Sequence, residues 1–266
     1  MIFPELIINS KNWNFLCHAR KSKRLPHAIL FHGPQGTGKE GHALELAAML
    51  NCTEEDKSPC GHCPSCKKTK SFQHESVKLI LPLPRGKISS SNDSPIKAFR
   101  NEKSLQDYID ILKKKNDDPY FHMQIHGAHT ILINSIREIK KEVSLSTANH
   151  EWKVILIFQA EKLCLPSPES GNALLKILEE PPIKTLFILV SSHPFAILDT
   201  IHSRCQSLYF PPSYGPIKGS AGTQPCNKIG DCILVITHYS QKSKGFRSLR
   251  VGEPEERGWE GRSRGV

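Results

Sequence analysis

Five short apolar runs punctuate the chain: Ala28 to Phe31, Val77 to Leu81, Val154 to Phe158, Leu186 to Val190 and Leu208 to Phe210. The first two read as buried strands, the third as an apolar strand, and the last two as a fourth and a fifth strand. Between them lie stretches of helical spacing. Trp13 to Arg20 reads as a first helix, and Ala43, Leu44, Leu46, Ala47, Met49 and Leu50 describe a helix apolar nearly all round that ends at Asn51. Ser104 to Lys114 places Leu105, Tyr108, Ile109 and Leu112 at helical spacing. Ser135-x-x-Glu138 predicts a capping box opening a helix with Ile136, Ile139 and Val143 inward. The stretch Gly171 to Glu180 turns Ala173, Leu174, Ile177 and Leu178 inward before Pro181-Pro182 stops it. Strands alternating with helices predict an α/β fold, a doubly wound parallel five-stranded sheet with ligands at the strand C-termini.

Two segments stand outside this rhythm. Residues 82–129 form a polar insert with no chemistry of its own to assign, and its serine-rich part, Gly86 to Ser94, is expected to be mobile. Beyond Pro211 helical periodicity stops, apart from the apolar run Cys232 to Ile236. The expected organisation is one domain over 1–212 and an irregular tail over 213–266, either disordered or the product of truncation or aberrant translation.

Composition adds modest constraints. A length of 266 residues suffices for one α/β domain with an annex, and 38% hydrophobic content suggests that part of the chain joins no core. The net charge of +10 points weakly to a polyanionic partner, although a solvated basic surface explains such an excess more often. The basic run Lys21 to Arg24 reads as a solvated turn. No run of about 18 apolar residues occurs, and Met1 to Ser10 lacks the basic start and apolar stretch of a signal peptide. A cytosolic protein with reduced thiols is expected.

Chemistry enters at Gly33-Pro34-Gln35-Gly36-Thr37-Gly38-Lys39, directly after the first strand. Gly33, Gly36 and Gly38 let backbone N–H groups face inward around phosphate oxygens, with Thr37 in the turn, and Lys39 opens a helix whose dipole favours an anion. The pattern G-x-x-x-x-G-K calls next for Ser or Thr, whose hydroxyl holds the nucleotide's Mg²⁺. Position 40 is Glu, a poor metal ligand here and repulsive to phosphate. P-loop ATPases end the third strand in Asp-Glu, for Mg²⁺ and for the attacking water, where this chain has Phe158-Gln159. Glu161 comes late to replace them. The site is thus compatible with ATP, set against Mg²⁺ and not expected to hydrolyse. Ser191, ending the fourth strand, either reaches a γ-phosphate or caps the next turn.

Cys52, Cys60, Cys63 and Cys66 are separated by seven, two and two residues. In a reducing setting this spacing suits one tetrahedral Zn²⁺ without an open position, hence a structural site. Unligated thiols or disulfides are the alternatives, and His62 is a weaker candidate ligand.

These blocks resemble the bacterial clamp-loader ATPase family of AAA+ proteins, and within it the delta-prime type of DNA polymerase III subunit. The resemblance rests on Leu25-Pro26-His27-Ala28 before the P-loop, the four-cysteine module after its helix, Asn172 to Pro182 and Ser203-Arg204-Cys205. It covers roughly Met1 to Phe210. It implies a hetero-oligomeric ring with delta and gamma/tau subunits that loads the sliding clamp on primed DNA, in which Arg204 acts in trans as an arginine finger on a neighbour's ATP. A surface ion pair is the plain alternative for Arg204. The departures at Glu40 and Phe158-Gln159 favour a stator role, with a catalytically active gamma/tau-like ATPase as the competing reading. No helical lid or collar pattern follows the domain.

Overall fold

The computed structural model describes residues 1–54, 58–88, 90, 93–144 and 151–212. The expectations for 213–266 lie outside these residues, as do Ser89, Ser91 and Asn92 of the serine-rich stretch. Helix α1 (Ser10–Lys21) leads into β1 (Ala28–His32), the P-loop and α2 (Lys39–Asn51). A short α3 (Pro64–Lys70) and β2 (Val77–Ile80) follow, then the insert with α4 (Glu102–Asp117), and α5 (Ile133–Ser144). The chain continues through β3 (Lys153–Phe158), α6 (Glu169–Glu179), β4 (Thr185–Ser191), α7 (Asp199–His202) and β5 (Gln206–Tyr209).

All five strands are parallel, in the order β2-β3-β4-β1-β5. The sheet separates two apolar layers, and successive side chains feed them alternately. Ile29, Phe31, Val154, Leu156, Phe158, Leu186 and Ile188 pack with α2 and the N-terminal segment on one face. Ala28, Leu30, Ile155, Ile157, Phe187 and Leu189 pack with α5 and α6 on the other. The three inner strands β1, β3 and β4 are covered on both faces and carry Val, Ile, Leu and Phe almost throughout, whereas the edge strands differ: Lys78 and Leu79 of β2 are partly exposed, and Gln206 and Tyr209 of β5 face solvent.

Helix α5 begins at Ile133, not in a capping box at Ser135. The Ser135 N–H donates to Leu132 O at 3.0 Å from within the first turn. The capping box stands instead on α4, where Asn101 and Ser104 exchange side-chain and backbone bonds. Ala173 is only half-buried on α6, while Leu174, Ile177 and Leu178 are inward as expected.

The central helix is α2, buried along nearly its whole length among the sheet, α3 and the N-terminal segment. Burying it also buries polar groups, and each finds a partner. The carboxylate of Glu45 accepts the Phe3 N–H at 2.8 Å and the Ile2 N–H at 3.1 Å. The His42 Nε2 accepts the Asn9 N–H at 2.9 Å, so Nδ1 carries the proton and donates to Gly38 O at 2.8 Å. Two polar side chains of α2 thereby fix residues 1–9 beside the P-loop.

Burial holds the His42 pKa below its ordinary 6.5. The unfolded chain therefore takes up the proton more readily, so the stability contributed by neutral His42 is complete above about pH 6.5 and is lost as pH falls through the lower folded value. His42→Gln is expected to cost about 1–3 kcal/mol at pH 7.5 by leaving buried partners unmet. In thermal melts the gap between wild type and variant should narrow below pH 6.5; a gap independent of pH would remove His42 from the acid response.

Candidate phosphate and metal sites

The P-loop has the backbone its glycines predict. Gly36 and Gly38 lie at φ +80° and +74°, in the left-handed region that glycine enters freely. Gly33 serves close approach as well, because a Cβ there would stand 2.2 Å from Phe210 O. The loop closes on its own lysine: Lys39 Nζ donates to Gly33 O at 2.8 Å, Pro34 O at 2.6 Å and Thr37 Oγ1 at 3.3 Å. Burial lowers the Lys39 pKa to about 8, against the opposing pull of Glu40 and Glu161.

Above the loop lies a cavity of about 200 Å³ at the C-terminal ends of β3 and β4. The candidates Gly36, Thr37, Gly38, Lys39 and Ser191 line it. Gly33 is below the lining, bonded to Lys39. The Ser191 Oγ accepts the His193 N–H at 3.0 Å and donates to Glu161 Oε2 at 2.7 Å. Glu161 thus does reach the cavity, held by Ser191 and with Oε1 3.6 Å from His193 Nδ1.

Much of the opposite wall comes from the insert, including Lys115, Pro119, Tyr120, His122 and Gln124. Glu40 is not a free carboxylate facing phosphate. It receives the Lys115 ammonium, whose side chain is 1% exposed against 15% for Glu40. Gln159, in the place of the acidic pair, is held at φ +54° and donates its amide to Met123 O. Neither position offers the free hydroxyl or unpaired carboxylate that a P-loop site uses for Mg²⁺, so these two residues do not fit the usual ligand set.

The four cysteines do fit a tetrahedral metal. All four Sγ atoms lie within 4.8 Å of one another, with Cys52 and Cys63 sulfurs 4.0 Å apart and those of Cys60 and Cys66 3.9 Å apart. Ligands at about 2.3 Å from zinc would stand nearly that far apart, and a disulfide needs about 2.05 Å. Backbone N–H groups of Cys60, Cys63 and Cys66 donate to the sulfurs of Cys52, Cys60 and Cys63 at 3.3–3.5 Å, favouring thiolates. His62 turns outward, 2.7 Å from Glu54 Oε1, and is not needed to complete the set.

Arg204 sits between α7 and β5, outside the cavity lining. Its Nη1 donates to Thr200 O at 2.9 Å and its Nη2 to Glu179 Oε1 at 3.0 Å. Lys115 was missed in the sequence because it ends the run Lys113-Lys114-Lys115, which looks solvated. One sign was available: Leu105, Tyr108, Leu112 and Lys115 share the inner stripe of α4 at helical spacing.

The family model described as DNA polymerase III, delta subunit, matches residues 8–214. The chain is 29% identical over 197 residues to DNA polymerase III subunit delta' of Bacillus subtilis, covering 74% of this chain and 46% of that one. It is 30% identical over 196 residues to DNA polymerase III subunit tau of Bacillus subtilis, covering 73% and 26%. Against subunit tau/gamma of Haemophilus influenzae it is 30% identical over 191 residues, covering 71% and 21%. The chain spans less than half the length of these relatives.

The cysteine geometry predicts about one zinc ion per chain by elemental analysis and a lower melting temperature after chelation. Cys60→Ser should release most of the metal; full metal content in that variant would take Cys60 out of the ligand set.

Proposed function

The chain belongs to the DNA polymerase III clamp-loader family of AAA+ proteins, and from that premise we propose that it acts as a delta-prime-type stator, a subunit that supports the ring without hydrolysing ATP itself. The observation carrying this reading is the double replacement at the P-loop: Glu40 neutralised by Lys115, and Gln159 committed to Met123. Each loss removes a part on which metal-assisted phosphoryl transfer depends, at several kcal/mol of transition-state stabilisation apiece. The partners are delta and gamma/tau subunits in a hetero-oligomeric ring. Through the complex they are the sliding clamp and primed DNA, in the cytoplasm. The four cysteines hold structural zinc beside α2, and no catalytic role falls to it. Among the described residues no helix is long and apolar enough to cross a membrane.

Arg204 is the residue through which this chain serves catalysis. Its guanidinium is always charged and forked, and in the isolated chain it rests on Glu179, 36% exposed, from which an incoming phosphate could draw it. An exposed pair of this kind contributes only about 0.2–1 kcal/mol, so exchanging it for a neighbour's γ-phosphate costs little.

Two measurements test the reading. The purified chain should show no ATPase above background, with Lys39→Ala leaving the rate unchanged; turnover abolished by Lys39→Ala would favour the gamma/tau-like ATPase instead. In a clamp loader reconstituted with the other subunits, Arg204→Ala should leave assembly intact and slow DNA-stimulated ATPase at the site it serves, by up to roughly 10³–10⁵. Equal rates in an assembled ring would leave Arg204 a surface residue.

A further inference from the structure

The two positions where a nucleotide's metal would find its ligands are also the two anchor points of a strap from the insert. Residues 119–124 leave the end of α4 and cross the cavity beside the P-loop. At one end Lys115 Nζ, on Glu40, also donates to Pro119 O at 2.9 Å and Phe121 O at 2.7 Å. All three of its protons are therefore committed. At the other end Met123 O receives the Gln159 amide. Between them the Tyr120 hydroxyl accepts the Ile7 N–H at 2.8 Å.

The first turn of α2 is shaped for this strap. A Cβ on Gly38 would lie 3.1 Å from Tyr120 Cε1, and one on Gly41 would lie 3.1 Å from Pro119 Cβ. Lys39, which would otherwise point at a phosphate, is turned onto Gly33 O and Pro34 O.

We propose that Lys115 is a resident counter-cation standing in place of Mg²⁺ at this P-loop, and that the strap it anchors excludes Mg²⁺-ATP from the cavity. The α4 insert thereby determines specificity: it converts a nucleotide loop into a structural joint. The inference deepens the stator reading and rests on it.

The test is thermal melting and fluorescent-ATP binding of the full chain, with Mg²⁺ and with EDTA. Wild type should show no melting shift with Mg²⁺-ATP; a shift or saturable binding that requires Mg²⁺ overturns the proposal. Glu40→Thr combined with Lys115→Met removes both charges together and supplies the missing hydroxyl. This double variant should bind Mg²⁺-ATP at least about tenfold more tightly than wild type, visible as a ligand-dependent rise in melting temperature. Unchanged binding in the folded double variant overturns the proposal as well. If that variant fails to fold, Glu40→Gln with Lys115→Gln keeps the bulk without the charges, and hydrogen exchange at 119–124 decides. Faster exchange than in wild type supports the strap, and equal exchange overturns it. If the double variant gains Mg²⁺-ATP binding while the wild-type chain cannot support a reconstituted loader, the stator reading is lost and this one is kept.

Discussion

The whole structure depends on burying α2 together with the charged and polar groups it carries. A helix enclosed on every side can keep Glu40, His42 and Glu45 only if other segments bring partners to them, because an unmet buried charge or donor costs several kcal/mol. Glu45 recruits the N–H groups of Ile2 and Phe3, His42 that of Asn9, and Glu40 the ammonium of Lys115. Residues 1–9 and the insert are thus placed by the needs of one helix. Removing one partner of a buried ion pair costs about 3–5 kcal/mol, so Glu40 and Lys115 are held to each other whatever the site binds.

The cysteine module extends the same logic to the C-terminal end of α2. Cys52 is its C-cap, Cys63 caps α3, and α3 packs back onto α2. Gly61 lets the knuckle approach the N-terminal segment, since a Cβ there would lie 2.5 Å from Met1 O. A metal at the four sulfurs would tie the far end of the helix as firmly as Glu45 ties its middle.

Function follows from what those ties leave over. The P-loop keeps its shape, and its lysine stays in place, yet the groups that would meet a metal are engaged in holding protein to protein. Arg204 differs: it lies outside the cavity lining, partly exposed and paired with Glu179, which is the arrangement the proposed role in trans starts from.

The sequence by itself determined the sheet, the P-loop turn and the cysteine set, because each rests on a local rule. Strands buried on both faces must be apolar throughout, positive φ calls for glycine, and two C-x-x-C turns aim sulfurs at one point. It also flagged Glu40 and Gln159 as departures, although not what they do. Tertiary structure decided that, since the partners are distant in the chain: Lys115 stands 75 residues from Glu40 and Met123 36 residues from Gln159. It likewise moved Glu161 into the cavity, because the short helical turn Ala160–Leu163 after β3 folds it back toward Ser191. Spacing along a chain reports which face of one element a residue occupies. Which side chain meets it there depends on how the elements are packed.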